Sequence, residues 1–294
     1  MKDAPIRHRL EYLAYLPIRA VLSSMPVSLA RRSGAALGDV VFRLDRRRRH
    51  LALDNLSRAF PERPAAERES IARDSYRHLG SSLFNTFAGL RLSREELCER
   101  ITIEGFEHLI DAEAMGRGVI LLSAHLGTWE VAAWALALSG RPVHVIGRPA
   151  DNPHLDREMR RIREHWGNQM IVKRGAARSS IRVLRKGGYL ALLVDQHAGT
   201  KSAVRLPFFG RPAWTSTLPA RLSVKSGAPV VPGYGYLEPG GRYRMTVREP
   251  IVPPDRPDGD ALVELTKRYV DAGEREIRLR PGEWMWMHRR WRDS

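Results

Sequence analysis

From about residue 101 onward, short apolar runs alternate with stretches of helical periodicity. Runs at 119–122, 143–146, 170–172, 189–194, 230–236 and 243–247 are rich in β-branched and aromatic residues and predict strands. Segments 128–138, 154–166, 177–186 and 217–226 predict helices. In the second of these, Leu155, Met159, Ile162 and Trp166 share one helix face, with Arg157, Arg160, Arg161 and Glu164 opposite. That charged face is either simply solvated or a binding face for a phosphate or a carrier. Strand–helix alternation predicts an α/β fold, with a mixed, mostly parallel central sheet flanked by helices. The last two strands, parted by Glu238-Pro-Gly-Gly241, predict a hairpin. Residues 1–100 predict a helical N-terminal region with a turn at Pro61-Glu-Arg-Pro64, integrated with an α/β core over 101–294. Segment 205–214 predicts an aromatic loop. Near the C-terminus Trp284, Met287 and Trp291 predict one packed helical face.

One polar interruption breaks this pattern. Ser123-Ala-His-Leu-Gly-Thr-Trp-Glu130 separates the apolar run 118–122 from the apolar helix 131–138. An ionisable group taken out of water must be paired, or it costs several kcal/mol. A strand-to-helix turn lies at the carboxyl edge of an α/β sheet, where open sheets place their sites. His125 occupies that turn, Gly127 permits a tight bend, Thr128 is a candidate helix cap, and Glu130 falls in the first helical turn. An imidazole there can take a proton from a hydroxyl, best when a carboxylate holds its other nitrogen. N–H groups at the helix start can face an oxyanion. By spacing alone the pattern is weak, and a satisfied turn histidine with a glutamate that merely favours the helix N-terminus is the favoured reading.

Composition narrows the partners. Among 294 residues, 49 Lys and Arg stand against 33 Asp and Glu, a net charge of +16. Anionic partners are expected: nucleic acid, an acidic membrane surface or an acidic carrier protein. The single cysteine, Cys98, excludes an internal disulfide and a cysteine-based zinc site, and fits a reducing compartment. No spacing of metal ligands stands out. The N-terminal apolar stretch, 10–30, is broken by Glu11, Pro17, Arg19 and Pro26, so a membrane-spanning helix is not expected. Followed by Arg31-Arg32 and Arg46-Arg-Arg-Arg49, it suits a segment lying in the membrane interface, or a helix packed on the domain.

His125-Leu-Gly-Thr-Trp-Glu130 resembles the H-x4-D/E motif of the glycerolipid acyltransferases, in the form found in the lipid A biosynthesis (late) acyltransferase family, which includes phosphatidylinositol mannoside acyltransferases. Other blocks are similar in order: Asn55-Leu-Ser-Arg-Ala-Phe-Pro-Glu62; Gly147-Arg-Pro149 with Asn152-Pro153 and Gly167-Asn168; Leu193-Val-Asp-Gln196 with Pro207-Phe-Phe-Gly-Arg-Pro-Ala213; and Glu283-Trp-Met-Trp-Met-His-Arg-Arg-Trp291. The resemblance implies that His125 is the base and Glu130 its partner in moving an acyl group from a carrier thioester to a lipid hydroxyl, with no cofactor and no metal. The donor is acyl carrier protein or acyl-coenzyme A. The acceptor is an anionic lipid or glycolipid, and the setting is the cytoplasmic face of the inner membrane. Gly127, Trp129, Arg148, Asp195 and Gln196 are expected at the substrate, with Arg148 as an exposed ion pair and Asp195 as a turn cap the plainer alternatives. Phe208, Phe209 and Trp214 line the acyl channel or belong to the core. His288, Arg289, Arg290 and Arg292 are expected to meet membrane phosphates. Some relatives carry an acidic residue just before Phe-Phe-Gly; Leu206-Pro207 stands there in this chain, which points toward the lipid A-like branch. A hydrolase would use the same pair with water as acceptor. A nucleic-acid-binding role is disfavoured, because no helix-turn-helix, RNP or zinc signature accompanies the charge.

Overall fold

A computed structural model describes residues 4–172, 175–199, 202–255 and 260–292. Five helices come first: α1 (Ala4–Ser24), α2 (Val27–Leu44), α3 (Arg46–Ala59), α4 (Ala65–Gly89) and the short α5 (Arg94–Cys98). Each break has a local cause. Pro26 separates α1 from α2, the Asp45 side chain accepts from the Arg48 N–H at 3.0 Å to start α3, and Ser93 with Glu96 forms a capping box on α5. The helix α4 is the spine of this region. Gly34 and Gly38 of α2 lie against the Gly80 and Tyr76 backbone of α4, so close that an added Cβ would enter those peptide groups.

The rest alternates: β1 (Ile101–Glu104), α6 (Phe106–Ala114), β2 (Val119–Ser123), α7 (Trp129–Leu138), β3 (Val143–Gly147), α8 (Pro153–Arg163), β4 (Gln169–Val172), α9 (Ala176–Arg185), β5 (Tyr189–Leu193), β6 (Ala203–Phe208), β7 (Arg211–Ser216), α10 (Leu218–Ser226), β8 (Val230–Glu238), β9 (Arg242–Val247) and α11 (Ala261–Leu279). Seven strands form one sheet in the order β1-β9-β8-β2-β5-β3-β4. The five from β8 to β4 are mutually parallel, and the β8–β9 hairpin turns β9 and β1 the other way. The expected mixed, mostly parallel sheet is therefore present, with all six expected strands.

The alternation along β2 sorts its two faces. Ile120 and Leu122 pack with Ile181 of α9, Leu222 of α10 and Leu265 of α11. Val119 and Leu121 pack with Leu109 of α6 and Ala132 and Leu136 of α7. Over α7 lie Leu22 of α1, Phe87 of α4 and Ile162 of α8. A fourth cluster, which includes Phe60, Phe208, Phe209, Trp284 and Trp286, joins the N-terminal helices to the C-terminal segment.

Two expectations are corrected here. Segment 205–214 lies within a β-hairpin, β6–β7, rather than a loop. Phe208 pairs with Arg211 across the two-residue turn Phe209-Gly210, with φ of 52° and 71°, the conformation of a type I′ turn. Pro207 and Pro212 disguise it, and they are tolerated because the sheet has only two strands. Phe209 is held in this strained conformation because its ring is buried and its N–H donates to Glu274 at 2.6 Å. Residues 284–291 are not helical: Trp284 bridges to Leu126 as a strand would, and turns follow. The helix α11 ends at Leu279, a single 3-10 turn over Pro281–Glu283 follows, and the tryptophans find their packing without a helix.

Candidate active site

His125 and Asp195 lie at the carboxyl ends of adjacent parallel strands. Ser123 of β2 pairs with Leu193 of β5, and each candidate stands two residues beyond its member of that pair. Equal offsets past a parallel register bring the side chains together. His125 Nδ1 is 2.9 Å from Asp195 Oδ1, and the His125 backbone N–H donates to Asp195 Oδ2 at 2.9 Å. Trp284 Nε1 donates to the same Oδ2 at 2.8 Å. The Asp195 side chain is 5% exposed and that of His125 22%. Held by Asp195 on Nδ1, the ring has no hydrogen bond at Nε2 among the described residues.

The charges fit a base. Burial pulls the imidazole down, but the Asp195 charge and hydrogen bond outweigh it and leave His125 above its ordinary value. Burial pushes the Asp195 carboxyl up, yet the neighbouring imidazolium and hydrogen bonds from His125 and Trp284 hold it below the usual carboxylate range.

Glu130 has a different partner from the one expected. Arg163, at the end of α8, grips it as a fork, Nη2 to Oε1 at 2.8 Å and Nε to Oε1 at 3.0 Å. The sequence placed His125 and Glu130 in one motif, and the fold gives each a partner from a distant segment. Glu130 still acts on His125 through charge, as Arg163 does with opposite sign. Arg163 was missed because it sits among the charged residues of α8, where only its proximity to Glu130 separates it from Arg160 and Arg161.

The loop carrying His125 is clamped by the C-terminal segment. The Met285 N–H donates to the His125 carbonyl at 3.2 Å, and the Gly127 N–H donates to the Glu283 carbonyl at 3.1 Å. Gly127 has φ of 62°, and an added Cβ would meet the Gly235 carbonyl. The glycine permits this close backbone approach, and it does not line the cavity described below. Asn55, buried in α3, donates from Nδ2 to the carbonyls of Trp286 and His288, both at 2.7 Å. Thr128 precedes α7 without capping it through its side chain. The N–H groups of Trp129, Glu130 and Val131 make no hydrogen bond among the described residues.

A cavity of about 2030 Å³ reaches His125, Trp129, Glu130 and Arg163. Trp129 meets the imidazole edge to face, centroids 5.3 Å apart. Between α7 and the sheet the wall is made by Leu121, Ala132, Ala133, Leu136, Val145 and Met245. The side chains expected to form the acyl channel stand elsewhere. Phe208 and Phe209 are buried in the aromatic core, and Trp214 sits on β7, away from the cavity wall. Gln196 lines the cavity. Arg148 is at its rim, 78% exposed and paired with Asp151 at 3.3 Å, the plainer of its two readings. Arg290 is 1% exposed and donates to the Trp214 carbonyl at 2.6 Å and to Thr215 at 2.6 Å. Buried there, its guanidinium is pushed down to about 10, and it does not present the exposed charge expected of a membrane contact.

Residues 2–293 match the bacterial lipid A biosynthesis acyltransferase family. The chain belongs to that family. This acyltransferase is 27% identical to the lipid A biosynthesis lauroyltransferase of Escherichia coli, over 91% of this chain and 87% of the relative. It is 26% identical to the myristoyltransferase of the same organism, over 97% and 88%. It is also 24% identical to the phosphatidylinositol mannoside acyltransferase of Mycolicibacterium smegmatis, over 81% and 77%. The acyltransferase therefore works between an acyl donor and a lipid acceptor.

Proposed function

We propose that this protein moves a fatty acyl chain from a thioester to a hydroxyl of a lipid A-like glycolipid at the membrane surface, with His125 as base and Asp195 as the carboxylate that orients it. The observation that carries the reading is the His125–Asp195 pair at a cavity with an apolar branch under α7. The acceptor hydroxyl gives its proton to Nε2 as its oxygen attacks the thioester carbonyl. The tetrahedral oxyanion collapses, the C–S bond breaks, and the departing sulfur takes the proton back from the imidazolium. Asp195 holds the ring in one tautomer and stabilises its charged form. Glu130 fixes the Arg163 fork, which brings positive charge to the site where the oxyanion forms, and the free N–H groups opening α7 offer further donors. The acyl tail lies along the apolar wall between α7 and the sheet.

Attachment to the membrane rests on the N-terminal helices. On α1, Ile6, Leu10 and Leu13 are 60–63% exposed and share a face at spacings of four and three. On α2, Leu37, Val40, Val41 and Leu44 are exposed, near Arg43, Arg46 and Arg47. No helix among the described residues is long and apolar enough to cross a membrane. This is the character of an interfacial contact. Lipid mass spectrometry of cells carrying wild type, His125→Ala or no gene tests the function. The product is expected to be absent in the last two. An unchanged lipid profile in the His125 variant overturns it.

A further inference from the structure

Neither the His125–Asp195 pair nor the Glu130–Arg163 fork involves the polar side chain that ends β2. Alternation along that strand puts Ser123 on the same face as Val119 and Leu121, the face that packs under α7. Leu121 lines the apolar branch of the cavity, Ser123 follows at its mouth, and His125 stands two residues further on. At about 3.3 Å per residue, Leu121 and Ser123 are roughly 7 Å apart along the strand. The hydroxyl interrupts a wall otherwise made there by Ala132, Ala133, Val145 and Met245. Gly233, one step past the Leu122–Pro232 pair on the neighbouring strand β8, also lines the cavity and has no side chain to cover the hydroxyl. Ser123 as a residue is half-buried, but its Oγ is fully buried and has no hydrogen-bond partner among the described residues. A buried hydroxyl left unpaired is costly, and alanine would line the wall without that cost. Nor is Ser123 set up as a nucleophile. It lies in a regular strand, paired with Leu193, rather than on a strained elbow, and no hydrogen bond joins it to His125.

We propose that the Ser123 hydroxyl is a catalytic hydrogen-bond donor to the thioester carbonyl oxygen, which it holds at the mouth of the apolar branch and stabilises as negative charge develops. The proposal rests on the acyl-transfer reading above and adds a residue to it. The order of groups along β2 carries it. An acyl thioester has its hydrocarbon tail on one side of the carbonyl carbon and its sulfur on the other. With the tail against Leu121, the carbonyl falls beside Ser123, and the attacking hydroxyl is deprotonated at His125, the next group in the row. Rotation about the single Cα–Cβ bond turns the Ser123 hydroxyl from the wall into the cavity. As the acceptor oxygen bonds to the carbonyl carbon and its proton passes to His125, the carbonyl π electrons move onto oxygen. Ser123 donates to that oxyanion and keeps its own proton. The carbonyl re-forms as the C–S bond breaks, the sulfur takes the proton from the imidazolium, and Ser123 is unchanged. The Arg163 fork and the N–H groups opening α7 approach from the helix side, while Ser123 adds a donor from the sheet side. Because the hydroxyl has no partner in the protein, no internal hydrogen bond is broken when the carbonyl arrives.

The experiment compares wild type with Ser123→Ala and Ser123→Thr on acyl thioesters of two chain lengths. Ser123→Ala is expected to lower kcat and kcat/KM alike, at least tenfold and by the same factor at both lengths, with the acid limb set by His125 left in place. Its unfolding midpoint should match or exceed that of the wild type, because the hydroxyl removed has no partner inside the protein. Ser123→Thr retains a hydroxyl and should recover part of the loss. A loss below tenfold in Ser123→Ala, or no recovery in Ser123→Thr, overturns the proposal. So does a loss that differs between the two chain lengths, which would make Ser123 a determinant of channel shape, or one that follows a lowered unfolding midpoint. An acyl adduct on Ser123, seen by mass spectrometry of wild type mixed with donor alone, would make it a nucleophile and overturn the proposal as well. Failure of the wild type to form an ester from either donor would instead overturn the acyl-transfer reading itself.

Discussion

At the scale of the residue, two carboxylates near one imidazole have different work, and pH separates them. The base must be neutral to accept a proton, so activity falls as pH drops through the His125 pKa, which Asp195 holds above the ordinary imidazole value of 6.5. The acid limb of kcat/KM should therefore lie above that value. Asp195→Asn removes the charge that raises it. The limb should move to lower pH, and the rate at the optimum should fall roughly 10²–10⁴-fold as orientation is lost. Glu130→Gln should move the limb less, because its charge is a smaller influence on the ring, yet it should cost about 10–100-fold by freeing the Arg163 fork. A pH–rate series on the two variants checks this; a larger shift in the Glu130 variant would reverse the assignment. His125 and Glu130 were legible as a motif. Asp195 was legible as a substrate-site candidate through its family-like block, and not as the partner of His125.

At the scale of the element, the apolar branch of the cavity is built from a helix whose cavity face is lined by small side chains. Ala132 and Ala133 leave the space between α7 and the sheet that a longer side chain would fill. Ala133→Phe should shift donor preference toward shorter chains, losing about fourfold per methylene excluded at ~0.8 kcal/mol each. Competition between mixed-length donors reads this out, and an unchanged length preference would place the tail elsewhere. The C-terminal segment makes a separate prediction. Asn55→Ala leaves the buried Trp286 carbonyl and the part-buried His288 carbonyl without their donor. Stability should fall by about 2–4 kcal/mol, measured by denaturant midpoint, with activity lowered through the slackened clamp on the His125 loop. From the sequence, Asn55 and Trp284 carried only a family likeness. Their partners are more than 200 and nearly 90 residues away respectively, beyond the reach of periodicity.

At the scale of the whole molecule, the N-terminal helices carry exposed apolar side chains with basic residues beside them. Vesicle binding should therefore have two components. Leu10→Glu/Leu13→Glu on α1 should weaken partitioning to anionic vesicles at least tenfold, since a leucine transferred from water contributes about 1.5 kcal/mol or more. High salt should release the wild type only in part, because screening acts on the arginines and leaves the apolar contact. Sedimentation with vesicles at two salt concentrations measures both; partitioning unaffected by the α1 variant would move the membrane face away from these helices.

Local chemistry determined a good deal from the sequence alone. Hydrophobic periodicity located six strands of the sheet and the four helices sought around them, and the polar interruption at 123–130 located the histidine at a strand end. These are properties of neighbouring residues, and alternation or a 3.6-residue repeat records them directly. What faces what was decided by the tertiary structure. Strand order set β5 beside β2 in register and so gave His125 to Asp195, while the packing of α8 beside α7 gave Glu130 to Arg163. The hairpin at 205–214 was hidden because its prolines and glycine resemble a loop until a partner strand is present. Such pairings are fixed by which strands and helices share the core, and that choice minimises the free energy of the whole chain rather than of any segment.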